Sequence, residues 1–134
     1  MKKSIVYLGI ALVTFSTVSQ ASNYNLNTQK EINHATYEGA TPLCVAISKG
    51  EIDLVKKLIG YGADVNEKSN GLTPLMMAAR FNKVEIIKVL LANGANLKEK
   101  TERGMTALKY AELSNAKEAA EFLKLSESKP VASL

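Results

Sequence analysis

Apolar and polar positions follow a pattern that recurs three times along the 134-residue chain. Each copy begins with a glycine, one variable residue and a threonine, and a leucine stands two positions after the threonine. The threonines are Thr41, Thr73 and Thr106, so the pattern repeats after 32 and then 33 residues. A period of this length is typical of solenoids that stack pairs of helices. The sequence therefore predicts an all-α repeat domain.

Local chemistry marks the start and the end of the first helix in each repeat. A threonine hydroxyl can accept hydrogen bonds from the backbone N–H groups at a helix start, and proline suits the first helical position. Thr41-Pro42 and Thr73-Pro74 combine these two signals. Nine residues after each threonine stands Gly50, Asn82 or Asn115. Because these residue types tolerate the left-handed conformation that closes a helix, we expect each first helix to be short.

A second helix follows at once in each repeat. In the first two repeats its apolar residues recur at helical spacing, which indicates core positions. A glycine then ends the second helix, at Gly62 and at Gly94. The predicted core positions are Ile52, Leu54, Val55, Leu58 and Ile59 in the first repeat and Val84, Ile86, Ile87, Leu90 and Leu91 in the second.

The third repeat departs from the pattern and is predicted to be an end cap. Ala119 and Ala120 replace large aliphatic residues, and Lys124 occupies a position that is apolar in the other repeats. Polar residues suit a terminal repeat, since it has no neighbour on its outer side. Residues 126–134 contain Pro130 and little that could pack, so we expect a disordered C-terminal tail.

Residues 1–21 are interpreted as a signal peptide. Met1-Lys2-Lys3 is basic, and the apolar run from Ile5 to Val18 is shorter than the roughly 20 residues that span a bilayer. Small residues in Ser19-Gln20-Ala21 predict cleavage after Ala21. An uncleaved membrane anchor is the alternative. The expected location is the periplasm, with release outside the cell left open.

Residues 22–31 are polar and are interpreted as an N-terminal tether or partial cap. Ile32-Asn33 stands seven residues before Gly39, just as Leu97-Lys98 stands seven residues before Gly104. This spacing predicts that an N-terminal half-repeat begins at Ile32.

These residues resemble the ankyrin repeat. The resemblance rests on Gly71-x-Thr-Pro-Leu-x-x-Ala-Ala, followed by Ile-Ile-x-x-Leu-Leu-x-x-Gly-Ala-Asn, and covers residues 32–125. It implies a solenoid of antiparallel helix pairs with projecting β-turn or hairpin loops, in units of about 39–70, 71–103 and 104–125. The family usually has histidine after Thr-Pro-Leu, where this chain has Cys44, Met76 and Lys109. We therefore expect aliphatic packing to hold the repeats together and the stability to be modest.

The resemblance also implies that the chain binds another protein through its loop tips and the exposed, concave side of its first helices. Carried over residue by residue, the loop positions are Tyr37, Glu38, Ala40, Ser69, Asn70, Leu72, Glu102, Arg103 and Met105, and the helix positions are Ser48, Lys49, Arg80, Phe81, Leu113 and Ser114. Among them Leu72, Phe81, Met105 and Leu113 are expected to form an exposed apolar stripe that binds the partner. The alternative is that these four side chains pack against neighbouring loops.

Charge and candidate chemistry do not favour an enzyme. The formal net charge is +4, and removal of Lys2 and Lys3 with the leader leaves 15 basic against 13 acidic residues. The lysines are interspersed with glutamates, so no basic stripe indicates nucleic acid or an anionic membrane. His34 is the single histidine and lacks partners for a metal site or a catalytic base. No phosphate-binding glycine motif is present. We expect no cofactor and no metal.

Cys44 is the single cysteine, so no intramolecular disulfide can form. We expect a buried, inert thiol, the alternative being an exposed thiol open to oxidation. The functional hypothesis is a monomeric, non-catalytic protein-binding module of the periplasm or cell envelope. The alternative is a secreted effector or a toxin-neutralising protein.

Overall fold

The computed structural model describes residues 39–129, which form three consecutive helix pairs. The helices are α1 (Pro42–Lys49), α2 (Ile52–Gly60), α3 (Pro74–Arg80), α4 (Val84–Ala92), α5 (Ala107–Leu113) and α6 (Lys117–Ser128). The first helices α1, α3 and α5 pack side by side, and the second helices α2, α4 and α6 do the same behind them. Within the described range the extended structure is limited to an antiparallel bridge between Ser69 and Leu72. The predicted all-α solenoid is confirmed.

Each first helix begins at its threonine, as the sequence predicts. The hydroxyl oxygens of Thr41, Thr73 and Thr106 accept hydrogen bonds of 3.2–3.3 Å from the backbone N–H three residues further on. Proline occupies the start of α1 and α3. These caps satisfy N–H groups that have no partner inside the helix.

The residues that close the first helices adopt the predicted left-handed conformation. The φ angle is 75° at Gly50, 55° at Asn82 and 56° at Asn115. The chain therefore turns sharply into the second helix of each repeat at the same offset from the threonine. This common geometry keeps the three first helices in equivalent positions along the stack.

The core is centred on the second repeat. In α4 the side chains of Ile86, Ile87, Leu90 and Leu91 are buried, as predicted. In α2 only Val55 is buried, and Leu54 is 41% exposed although the equivalent Ile86 is 3% exposed. The prediction of a core position is therefore wrong for Leu54. The physical reason is that, within residues 39–129, the first repeat has a neighbouring repeat on one side only.

Polar side chains join the repeats in addition to the expected aliphatic packing. The Ser69 hydroxyl accepts a hydrogen bond from the Thr41 N–H at 3.2 Å and donates one to the Gly39 carbonyl at 3.2 Å. The Asn66 side chain donates to the Gly94 carbonyl at 3.1 Å and accepts from the Asn96 N–H at 2.8 Å. An ion pair of 2.8 Å between Lys68 and Glu99 adds a further link.

The last helix extends beyond the predicted end of the repeat domain. Helix α6 continues to Ser128, and Ser126 is 3% exposed with its hydroxyl donating to the Phe122 carbonyl at 2.8 Å. The expected disordered tail is therefore wrong for residues 126–128, because this hydrogen bond and burial hold Ser126 in the helix. On the outer side of the third repeat, Lys109 and Lys124 pair with Glu112, as suits a terminal repeat.

Several predictions concern residues outside the described range. They are the signal peptide at 1–21, the tether at 22–31, the half-repeat that begins at Ile32, and the end of the tail at 130–134. Among residues 39–129, no helix has the length and apolar character required to cross a membrane.

Candidate protein-binding surface

Equivalent positions of the three repeats form one continuous surface, here called the first-helix face. It comprises the residue before each threonine and the residues four, seven and eight positions after it. The last three lie on one side of a helix, because residues three or four apart are neighbours on a helix surface. The members of the first-helix face are Ala40, Leu72 and Met105; Val45, Met77 and Tyr110; Ser48, Arg80 and Leu113; and Lys49, Phe81 and Ser114.

The helix-end part of the first-helix face carries the most exposed apolar side chains. Phe81 is 42% exposed and Leu113 is 64% exposed. The Arg80 guanidinium lies 5.8 Å from the centre of the Phe81 ring, a distance at which a cation is attracted to the ring face. Arg80 and Phe81 are both exposed and lie side by side at this helix end. Ser48 is half-buried, and its hydroxyl donates to the Val45 carbonyl at 2.8 Å.

The predicted apolar stripe is only partly exposed. Phe81 and Leu113 are accessible, as that hypothesis requires, whereas Leu72 and Met105 are half-buried. Leu72 packs against the hydrophobic core. The expected exposure is therefore found at the helix ends, Phe81 and Leu113, and not at the loop positions Leu72 and Met105.

The row of Val45, Met77 and Tyr110 is not among the binding residues that the sequence predicts. All three side chains are half-buried, and Met77 and Tyr110 pack on the core with one side. Their signal in the sequence is the spacing of four residues to Lys49, Phe81 and Ser114, which places each of them one turn earlier on the same face. These three side chains lie between the loop residues and the helix-end residues that the sequence predicts.

An open cleft of about 430 Å³ lies between the loops that precede α3 and α5, next to the first-helix face. Asn70, Gly71 and Leu72 line one wall, Thr101, Glu102 and Arg103 line the other, and Tyr110 contributes from the helix. The structure therefore brings together four of the predicted loop residues, Asn70, Leu72, Glu102 and Arg103. Glu102 and Arg103 are exposed.

The first loop ends in a tight hairpin turn centred on Asn70 and Gly71. Both have positive φ angles, 52° and 79°, and Ser69 and Leu72 exchange two backbone hydrogen bonds of 2.8 and 3.0 Å. This is the geometry of a two-residue turn with two left-handed positions, for which Asn-Gly is the favoured sequence. The turn fixes the wall of the cleft that carries Leu72.

The prediction that Ser69 contacts a partner is wrong, because the residue is buried. Its side chain is 1% exposed, and its hydroxyl is engaged by Thr41 and Gly39. The residue sits at the base of the hairpin turn, where it faces the preceding repeat instead of solvent. Tyr37 and Glu38, which were also predicted to bind, lie outside the described residues.

Cys44 lies beneath the same junction. The residue is 1% exposed, so the expected buried thiol is confirmed. Burial raises the pKa of the Cys44 thiol, while side-chain hydrogen bonding with Thr41 and Ser69 acts in the opposite direction with less effect. Within residues 39–129, no group of three or more histidine, cysteine, aspartate or glutamate side chains is arranged to hold a metal ion.

Comparison with known proteins agrees with the architecture. A family model described as ankyrin repeats, in three copies, matches residues 43–132. A putative ankyrin repeat protein of Acanthamoeba polyphaga mimivirus is 53% identical over 38 residues, which is 28% of this chain and 20% of that protein. The chain thus matches about a fifth of the length of this relative. Ankyrin repeats are generally protein–protein interaction modules and are typically non-catalytic. Since the family model spans well over half of the sequence, this chain belongs to the ankyrin repeat family.

Proposed function

We propose that the chain is a non-catalytic protein-binding module of the periplasm or cell envelope, and that it binds its partner through the first-helix face. The general role follows from membership of the ankyrin repeat family. The assignment to this surface and to this compartment is our inference. It rests on the side chains of the described repeats and on the character of residues 1–21.

The composition of the first-helix face carries the proposal. Phenylalanine, tyrosine, methionine and arginine are enriched where proteins bind one another, relative to the rest of the protein surface. The central and third repeats present these residue types together, with Arg80 and Phe81 at the helix end, Met77 and Tyr110 one turn earlier, and Arg103 at the loop. The exposed Phe81 ring and the neighbouring Arg80 guanidinium together offer a partner an aromatic surface beside a positive charge.

Site-specific photo-crosslinking tests the surface. A photoreactive phenylalanine analogue is placed at Phe81 or, as a control, at Tyr61, which is 86% exposed at the end of α2. Cells that produce the chain naturally are irradiated, and crosslinked products are separated by mass. We expect a discrete crosslinked protein from position 81 and none from position 61. The absence of a product at 81, or equal products at both positions, would contradict the proposal.

Matched substitutions measure the contribution of the aromatic ring once the crosslinked protein is known. Phe81→Glu is expected to weaken binding at least tenfold, which corresponds to about 1.4 kcal/mol. Tyr61→Glu makes the same kind of change on a different helix and is expected to leave the affinity unchanged. Circular dichroism of both variants establishes that the fold is kept.

The export part of the proposal has a separate test. If residues 1–21 direct secretion, the protein recovered from the periplasmic fraction has Ser22 as its first residue. Recovery of the processed protein from the culture medium instead would favour the alternative, a secreted effector or toxin-neutralising protein. Unprocessed protein in the cytoplasm would exclude both locations.

A further inference from the structure

Building on the proposed binding role, we propose that the first-helix face selects an acidic segment of its partner protein. In this arrangement a neutral apolar side chain of the partner enters the cleft between Leu72 and Tyr110. Carboxylates on either side of that side chain pair with Arg80 and Arg103. The chemistry of the partner segment is thereby specified, in addition to the surface to which it binds.

The first-helix face and the loop beside it, at Glu102 and Arg103, together carry an excess of positive charge. Arg80 stands at the end of α3, and Arg103 stands at a loop tip. Glu112 is the acidic residue of the three first helices, and it already pairs with Lys109 and Lys124 on the outer side of the third repeat. Glu102 lies beside Arg103 on the cleft wall. One carboxylate, that of Glu102, therefore accompanies two cations, Arg80 and Arg103.

The two arginines are available to a partner. Within residues 39–129 the ion pairs are Lys68 with Glu99, Lys88 with Glu85, and Lys109 and Lys124 with Glu112, so neither arginine takes part in one. Arg80 is exposed and its guanidinium carbon lies 5.8 Å from the centre of the Phe81 ring, so its N–H groups can reach a carboxylate of the partner. A planar guanidinium can bind a carboxylate through two parallel hydrogen bonds, so arginine suits this role better than lysine.

The residues that line the cleft are the reason to expect an apolar residue between the acidic residues of the partner segment. Leu72 and Tyr110 are half-buried and offer apolar surface, whereas Asn70, Thr101, Glu102 and Arg103 form a polar rim. Glu102 and Arg103 have opposite charges, so the cleft entrance itself has no net charge. A carboxylate inside the cleft would meet the Glu102 carboxylate, and a neutral side chain avoids this repulsion.

Selection from a random peptide library on phage tests the proposal without a known partner. The full chain is immobilised, bound phage are sequenced, and the peptides are compared with the unselected library. We expect enrichment of Asp and Glu on both sides of a leucine, isoleucine or phenylalanine. A selected pool with no acidic enrichment would overturn the proposal.

Charge reversal then identifies the residues responsible. A synthetic acidic peptide from the selection is expected to bind an Arg80→Glu, Arg103→Glu double variant at least about tenfold more weakly than the unmodified chain. The matched control is Lys56→Glu, Lys57→Glu, which reverses the same number of charges on exposed positions of α2. Equal binding to the arginine variant, or an equal loss in the control, would overturn the assignment.

Two further readouts separate this inference from its rivals. Binding of the acidic peptide should weaken at high salt, since exposed charges are screened over about 3 Å at 1 M ionic strength. A single-stranded DNA oligonucleotide that displaces the peptide at equal concentration would mean that any polyanion binds, which would overturn selection of a protein segment. If photo-crosslinking at Phe81 succeeds while the selected peptides carry no excess acid, the charge preference fails and the proposed binding surface stands.

Discussion

The side-chain oxygen of Asn82 accepts a hydrogen bond of 3.0 Å from the backbone N–H of Ala119, in the next repeat. Its side-chain nitrogen donates to the carboxylate of Glu118. Ala116 precedes α6 and has no side chain that could cap the helix. Asn82 therefore supplies from the second repeat the helix cap that the third repeat lacks, and it ties the two repeats together.

Replacing Asn82 by glycine should destabilise the domain by about 1 kcal/mol, the usual effect of losing a helix cap. Glycine keeps the left-handed backbone that Asn82 adopts with φ of 55°, so the substitution isolates the side-chain hydrogen bonds. Urea unfolding followed by circular dichroism gives the free energy of unfolding for both proteins.

The equivalent position of the third repeat provides the control for this prediction. Asn115 has nearly the same φ angle, 56°, and within residues 39–129 no further repeat follows for it to cap. Asn115→Gly should therefore change the free energy of unfolding by no more than about 0.5 kcal/mol. Equal losses in the two variants would show that the effect is local to the turn.

The hydrogen bond between Asn82 and Glu118 predicts that the stability of the domain depends on pH. The hydrogen bond from Asn82, helped by the backbone N–H of Glu118, lowers the pKa of this carboxyl. A pKa lowered in the folded state contributes stability above the unfolded value of about 4.3, and this contribution is lost as pH falls through the folded value. In Asn82→Gly the pKa of Glu118 should rise toward its ordinary value, as NMR titration of the carboxyl carbon can measure. An identical titration in both proteins would argue that the contact does not persist in solution.

Much of the repeat architecture follows from chemistry that acts within a few residues. The threonine caps and the left-handed closing residues could be identified because each depends on one side chain and its own backbone. Thr73 and Asn82, nine residues apart, thus define α3 without knowledge of its neighbours. The large buried residues of α4 were equally evident from their helical spacing.

Residues whose role depends on the adjacent repeat were harder to assign. Ser69 aligns with an exposed loop tip, but the tight turn at Asn70 and Gly71 places its hydroxyl against residues about 30 positions earlier in the chain. Leu54 has the spacing of a core residue, yet a side chain at this position is buried only where another repeat packs against it. The position of the repeat in the stack, and not the local sequence, determines that Ser69 is buried and that Leu54 is exposed.

Ser69→Ala should destabilise the domain by about 1–3 kcal/mol, because it leaves the partly buried Thr41 N–H and Gly39 carbonyl without their partner. Ser48→Ala is the matched control, since its hydroxyl bonds only to the Val45 carbonyl within the same helix, and it should cost less than about 0.5 kcal/mol. Thermal and urea unfolding of both variants provide the comparison. A loss in Ser48→Ala as large as that in Ser69→Ala would contradict a special role for the inter-repeat bonds.

Cys44 should react with a thiol reagent only when the domain opens. Its side chain is 1% exposed, so at pH 8 the native protein should react at least about 100-fold more slowly with Ellman's reagent than the protein in urea. The rate can be followed by absorbance. Fast reaction of the folded protein would contradict the burial of the thiol.

The raised pKa of the Cys44 thiol also predicts a loss of stability in alkali. Burial is the main cause of the shift, so the neutral thiol is favoured in the folded state. The resulting contribution is complete below the unfolded pKa of about 8.5 and is lost as pH rises through the folded value. The Cys44→Ala variant has no ionisable thiol at this position. The free energy of unfolding of the unmodified chain should therefore fall more steeply between pH 8 and pH 10 than that of the variant, as parallel urea titrations under reducing conditions can show. Parallel pH profiles for the two proteins would mean that the thiol ionises equally well in the folded and unfolded states.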